Sequence, residues 1–331
     1  MTRSVDRATA LKIAAAAAAA GALPDLAAAS AAFPHAHPRW RFVFVNHATT
    51  NPFFVPTRAG IADACALYGV RSDWLGSKRS NVTEMVRAMN AAIDGGADGI
   101  AVSLIHPTAF NEPTNRALRK GIPVIAYNAD GGQGNRRLAY VGQALYESGL
   151  EFGARIVDLV RAGDVFLFTA TPGQQNIQPR VDGALDAIRD SGAPVTAHVV
   201  ATGAAVGGER RRIEATVAKN PHLVGLFAAD GGSTQGVAQV MRAHRLARRG
   251  VRAGGYDLLP ATVRAIRDGD VDFAIDQQPY LQGFVPIQQL FLDRYSRGLV
   301  GPADTNTGLK FVTRATVGPY LERRSRFEGA P

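Results

Sequence analysis

From residue 42 onward, short apolar runs alternate with stretches in which apolar residues recur at helical spacing. Phe42 to Val45 is an apolar run of strand type. Beyond it the apolar positions change period to Val55, Ala59, Ala62 and Leu67, one face of a helix. Val70–Leu75 predicts a second strand. Asn81-Val-Thr-Glu84 has the form of a capping box, with Asn81 as N-cap. The helix it opens has an apolar face of Val82, Met85, Met89 and Ile93. Gly99–Ile105 is nearly all apolar, as a strand covered on both faces should be. A helix over Thr108–Lys120 stops at Gly121, and a strand over Pro123–Tyr127 runs into Asn128-Ala-Asp-Gly-Gly132.

A second series of the same kind starts near residue 142. The pattern predicts helix Ala144–Ala162, strand Asp164–Thr169, helix Gln178–Asp190, strand Thr196–Val200 and a helix over about Gly207–Lys219. Strand Leu223–Ala229 follows, ending in Asp230-Gly-Gly-Ser-Thr234, then a helix to His244 and strand Val251–Tyr256. Helix Pro260–Asp268, strand Phe273–Gln277, a long helix Pro279–Ser296 and a last strand near Thr307–Val312 complete the chain. Two βα series in tandem predict an α/β protein of two similar doubly wound lobes built on parallel sheets.

The candidate chemistry lies at the carboxyl ends of these strands, where open α/β sheets bind ligands. The loop Asn46–Phe54 follows the first strand. It carries two adjacent rings, Phe53 and Phe54, with His47, Thr49, Thr50 and Asn51, and Pro52 stiffens it. Rings give a flat apolar face and amides give directional donors and acceptors. A sugar or polyol has the matching surface of C–H faces and hydroxyl edges. The same residues would also serve as a helix cap with the Phe pair in the core. Further polar residues close other strands: His106, Asn128, Asp230, Asp257 and Gln277. General loop polarity does not require a polar group at so many apolar strand ends, and the pattern points to a binding cleft.

At 331 residues the chain exceeds the usual single domain, and 46% hydrophobic with 20% charged residues is ordinary globular composition. The net charge is +9, but the densest clusters, Arg210-Arg211-Arg212, Arg245 to Arg249 and Arg323-Arg324-Ser325-Arg326, lie on or beside helical stretches with no interleaved aromatics. They suit a solvated surface rather than nucleic acid. Cys65 stands alone, which excludes an intrachain disulfide, and no cysteine is paired with His at metal spacing, so no metal is expected. No cofactor motif occurs: Gly131-Gly-Gln-Gly134 and Asp230-Gly-Gly232 match neither a dinucleotide nor a phosphate loop. No nucleophile elbow is present, so His47 and His106 are expected to donate hydrogen bonds rather than protons. Asp230 and Asp257 could form a hydrolytic carboxylate pair, but they suit hydroxyl acceptors better, and no enzyme is expected.

Residues 1–32 have the layout of a signal peptide. Arg3, Arg7 and Lys12 precede an alanine-rich apolar core, and small residues from Ala27 to Ala32 offer a cleavage site. With three basic and two acidic residues removed, the mature chain keeps a net charge of about +8 (9 − 1). Residues 33–38 form a linker. No cysteine follows the core to carry a lipid, so a periplasmic location is expected.

Asn51-Pro-Phe-Phe54, Ile105-His-Pro107, Phe227-Ala-Ala-Asp230, Gly255-Tyr-Asp257 and Ile275-Asp-Gln277 together resemble the periplasmic sugar-binding proteins of ABC importers, the ribose-binding-protein family. The resemblance spans about residues 39–315. It implies two lobes, 39–141 plus 278–305 and 142–277 plus 306–331, joined by a three-stranded hinge around a ligand cleft. It also implies the site His47, Asn51, Phe53, Phe54, His106, Asn128, Gln178, Asp230, Asp257 and Gln277. The family's ribose-type members place two arginines in the cleft; the aligned positions here are Ala129 and Gln178, and an aromatic is replaced near Ala204. Unless Arg58 or Arg180 folds inward, the cleft has no fixed cation. The implied ligand is then a small neutral sugar or polyol, delivered by a monomer to membrane permease subunits, with no cofactor. The alternatives are a sensor that presents its ligand to a membrane receptor and an exported carbohydrate-active enzyme.

Overall fold

A computed structural model describes residues 36–203 and 207–321; the expected signal segment and Ala204 lie outside them. The main compact unit begins at Arg39. In chain order it contains β1 (Arg41–Asn46), a 3-10 turn (Pro52–Phe54), α1 (Val55–Tyr68), β2 (Arg71–Gly76), α2 (Val82–Asp94), β3 (Gly99–Val102), α3 (Asn111–Arg119), β4 (Val124–Tyr127) and β5 (Ala139–Gly142). There follow α4 (Leu145–Val160), β6 (Gly163–Thr169), α5 (Gln178–Asp190), β7 (Val195–Ala201), α6 (Gly208–Lys219), β8 (Gly225–Ala228), α7 (Gly231–Ala243) and β9 (Arg252–Tyr256). The last elements are α8 (Pro260–Asp268), β10 (Phe273–Asp276), α9 (Leu281–Tyr295), β11 (Thr305–Asn306), β12 (Lys310–Thr313) and α10 (Gly318–Leu321).

The strands form two six-stranded sheets, ordered β11-β5-β4-β3-β1-β2 and β12-β10-β9-β8-β6-β7. All pairs are parallel except β10 with β12. The fold is thus two α/β lobes, with helices on both faces of each sheet. Parallel pairing puts the carboxyl ends of the strands along one edge of each sheet. The chain passes between the sheets three times, after β5, after β10 and between β11 and β12.

Two strands escape the hydrophobic pattern. β5 is the four residues Ala-Tyr-Val-Gly, and β11 is two residues that pair only with β5. Segments this short take their conformation from a neighbouring strand rather than from their own residues. Of the expected strand Thr307–Val312 only its second half is strand, in β12; β11 precedes it in the other sheet, and the residues between them include Gly308, whose φ of 89° favours glycine.

Local signals account for most other boundaries. Asn81 Oδ1 accepts the Glu84 N–H at 3.0 Å, as the capping box predicts. Glu84 does not complete the box; its carboxylate takes the Ser77 hydroxyl at 2.6 Å, and Ser77 Oγ accepts the Asn81 N–H instead. In the first lobe Val43, Val45, Ile100, Val102 and Val124 pack against Met85, Met89 and Ile93 of α2.

Each lobe also contains a helix pair in very close contact. A Cβ on Gly283 of α9 would lie 2.0 Å from the Thr57 carbonyl oxygen of α1. In the second lobe a Cβ on Gly149 of α4 would lie 2.5 Å from the Arg180 carbonyl oxygen, and one on Gly183 of α5 2.3 Å from that of Tyr146. Only glycine permits these approaches. The second one fixes where Arg180 sits.

Candidate ligand-binding site

The loop after β1 divides its residues between structure and site. Asn51 caps the 3-10 turn, its Oδ1 accepting the Phe53 N–H at 2.9 Å, and its side chain is exposed. Phe54 is buried, in contact with His47, Phe53 and Trp74 at ring-centroid distances of 5.3, 4.8 and 5.9 Å. Phe53 is only half-buried. His47 is buried, with Nδ1 2.9 Å from Ser103 Oγ at the end of β3. Burial holds its imidazole down at about 4, so the ring is neutral at ordinary pH. His106 is exposed, and its Nδ1 accepts the Thr108 and Ala109 N–H groups at 3.2 Å each, capping the turn into α3.

The remaining candidates gather where the carboxyl ends of the two sheets meet. Asn128 follows β4 and Asp257 follows β9. Both are buried with left-handed backbones, φ 62° and 71°, a conformation in which Asn and Asp are enriched. Gln277 follows β10; its Nε2 donates to Asp257 Oδ1 at 2.7 Å. Asp230 caps α7, accepting the Ser233 N–H at 2.9 Å on Oδ1 and the Ala170 N–H at 2.7 Å on Oδ2. Burial raises both carboxyls, Asp257 to about 6, against the opposing pull of the Arg180 guanidinium.

Arg180 is the residue that the resemblance misplaces. Gln178 lies at the first turn of α5, half-buried, and its amide is taken up locally, accepting the Gly173 N–H at 2.7 Å and donating to Asp182 at 2.8 Å. Two residues on, about 200° round the helix, Arg180 is 3% exposed. Its guanidinium carbon lies 4.2 Å from the centre of the Tyr256 ring, and Nη1 donates to the Ala229 carbonyl at 3.3 Å. Nε has no partner among the described residues. The expectation of a cleft without a fixed cation is therefore corrected: one guanidinium faces two carboxylates there. The sequence held a usable signal. Ile177, Val181, Ala184 and Ile188 mark the buried face of α5, and Arg180 falls within it. Arg58, by contrast, is exposed.

Beneath these groups the three crossings are tied by side chains. Gln282 of α9 joins Asn128, Gln277 and Thr307, while Gln143 after β5 donates to the Gly308 carbonyl at 3.2 Å. Ser148 links Gln143 to the Tyr256 hydroxyl. The lobes also touch directly, the Gln175 N–H donating to the Ile105 carbonyl at 3.3 Å. Such an arrangement can surround a small ligand with acceptors, one guanidinium and a half-buried ring. Among the described residues no group of three His, Cys, Asp or Glu side chains is placed to hold a metal ion.

Comparison with known proteins gives concordant results. The periplasmic binding protein domain family matches residues 42–292. A xylose/arabinose-binding protein, XylF, from Sulfolobus acidocaldarius is 51% identical over 308 residues, covering 89% of this chain and 76% of its own. Among solved structures, a solute-binding protein of an ABC transporter from Burkholderia graminis, in complex with D-arabinose, is 22% identical with a TM-score of 0.80, covering 86% of this chain and 99% of its own. GanP, a glucose-galactose binding protein from Geobacillus stearothermophilus, is 24% identical with a TM-score of 0.77, covering 85% and 100%.

Proposed function

The chain belongs to the periplasmic binding protein domain family, and from that membership and the site above we propose that it captures a neutral monosaccharide, a pentose in the first instance, for an ABC importer. It is a sugar-binding protein, not an enzyme. Its work is differential binding: a ligand held between two lobes favours the state in which they meet, and the permease receives that state.

One observation carries the choice of ligand. A single buried guanidinium, Arg180, lies among two buried carboxylates, Asp230 and Asp257. An anion entering would lose its water and meet a region with no net positive charge, whereas hydroxyl groups can donate to the carboxylates and accept from the guanidinium. In this reading Phe53 meets a C–H face of the sugar. His47, Asn128, Asp230, Asp257 and Gln277 lie around its polar edge, Arg180 takes the role expected of Gln178, and Asn51 and His106 shape the loops that carry the site. Names of relatives support the pentose, since XylF is a xylose/arabinose-binding protein.

The test is calorimetry against D-xylose, D-arabinose, D-glucose, D-galactose, D-glucuronate and glucose 6-phosphate. A neutral sugar should bind tightest. A uronate or phosphate binding tighter than every neutral sugar would overturn the assignment. Export follows from the layout of residues 1–32, and N-terminal sequencing of the mature protein should begin between residues 28 and 33; a retained Met1 would exclude it.

A further inference from the structure

Gln282 is fully buried in the first turn of α9, and its amide touches the side chains of two crossings and the end of β4. Nε2 lies 3.1 Å from the Gln277 carbonyl, 3.1 Å from Gln277 Oε1 and 3.5 Å from Thr307 Oγ1. Oε1 accepts from Asn128 Nδ2 at 3.0 Å. The Thr307 hydroxyl donates to the Gln277 carbonyl at 2.9 Å, and Gln277 Nε2 donates to Asp257 Oδ1 at 2.7 Å.

The direction of this chain is dictated at both ends. A main-chain carbonyl can only accept, and so can an ionised carboxylate. Gln282 must therefore turn its NH2 toward the Gln277 carbonyl, and its own carbonyl faces Asn128. Asn128 must answer with Nδ2. Its Oδ1 is left buried with no partner among the described residues. Gln277 likewise receives on Oε1 and must donate from Nε2 to Asp257, leaving Oδ2 of that carboxylate as its open atom. Nothing in the chain can reverse without setting acceptor against acceptor.

We infer that Gln282 is a positioning residue that sets the hydrogen-bond polarity of the sugar site, holding both Asn128 and Asp257 toward the ligand as acceptors. The inference rests on the sugar-binding function proposed above. It adds a specific demand: the ligand groups that meet Asn128 and Asp257 must be hydroxyl donors, and a fluorine in either place is refused. Asp257 is itself faced by Arg180 from α5, by Asp230 at the cap of α7 and by Asp276 of β10.

Gln282→Glu tests the direction. The ionised carboxylate still accepts from Asn128 but opposes both oxygens of Gln277. Gln277 must then flip, and its Oε1 faces Asp257. Protonation of the introduced carboxylate restores a donor beside an acceptor, the pattern of the native amide. D-xylose or D-arabinose, whichever binds tighter in the panel above, should bind this variant about tenfold or more weakly near pH 7. Measured against the wild type at the same pH, the loss should shrink on acidification to about pH 5, where a protonated Asp257 also offers a donor to the flipped Gln277. Adding Asp257→Asn supplies a donor for the flipped Gln277, so near pH 7 this substitution should raise the melting temperature of Gln282→Glu by more than it raises that of the wild type, where it only relieves a buried carboxylate. Gln282→Met, similar in volume, should lose affinity without the recovery in acid. Wild-type affinity in Gln282→Glu near pH 7 would overturn the inference, as would equal binding by Gln282→Met. If Gln282→Glu does not fold, the double variant decides: its folding supports the directed chain and its failure refutes it. The melting comparison needs no ligand, so a wild-type protein that bound no sugar would defeat the proposed function while leaving the polarity of the chain to be judged separately.

Discussion

Acid should weaken sugar binding through Asp257. Burial raises this carboxyl to about 6 in the protein, with Asp230 and Asp276 pushing the same way and Arg180 and Gln277 opposing them. If the bound sugar donates a hydroxyl to Oδ2, the complex requires the ionised form. The apparent dissociation constant then scales inversely with the ionised fraction of the free protein. Between pH 7 and pH 5 affinity should fall about tenfold, or about 1.4 kcal/mol. Binding near pH 5 should also release about 0.9 proton per sugar, because about nine in ten free molecules carry the proton there. Calorimetry in two buffers of different ionisation enthalpy measures both quantities. Glu209 and His47 also titrate nearby and are separable. Glu209, raised to about 7 by burial and by Asp230, gives a response centred higher, which Glu209→Gln removes. His47, held at about 4, acts on stability: the unfolded chain takes its proton first, so stability falls as pH drops from about 6.5 toward 4. Asp257 has the opposite sign in the free protein, where ionisation is penalised as pH rises from about 3.8 to about 6. Asp257→Asn should lose the part of the pH slope and of the proton release centred near 6, and in the double variant with Glu209→Gln the slope between pH 5 and pH 7 should be largely gone. An equal affinity at pH 5 and pH 7 in the wild type, or a full pH slope surviving in Asp257→Asn, would refute the reasoning.

The two rings of the first loop should separate by readout. Phe54→Ala removes a buried ring packed on His47, Phe53 and Trp74 and should lower stability by ~3–5 kcal/mol in denaturant melts, whereas half-buried Phe53→Ala should melt near the wild type and lose sugar affinity; the reverse assignment would show that Phe53 is the structural ring. Gly149→Ala forces α4 and α5 apart, since its Cβ would meet the Arg180 carbonyl oxygen at 2.5 Å, and should cost about 1–3 kcal/mol of stability together with affinity. Gly301→Ala, with no atom within 4 Å of the added carbon, should be silent in the same melts, and equal behaviour of the two would exclude the close helix contact as the cause.

Much of this architecture is determined locally, and so it is legible in the chain. Helices and most strands follow from periods of 3.6 and from apolar runs, and the polar residue at each strand end is adjacent in sequence to the run that places it. The placing of His47, Asn128, Asp230, Asp257 and Gln277 at buried strand ends is legible on that basis alone. Tertiary structure decided whatever depends on a distant partner. β11 is two residues long and exists because β5 is beside it. Asn51 and His106 have the right chemistry for a ligand, yet backbone N–H groups of their own turns occupy an acceptor of each. Whether Gln178 or Arg180 points inward depends on which face of α5 meets α4, and that is set by two glycine contacts between helices. Gln282 lies 154 residues from Asn128 in sequence. A buried amide gives no pattern of its own; its role arises from the carbonyl and the carboxylate that fix which way it turns, and only the folded chain brings those groups within hydrogen-bonding distance.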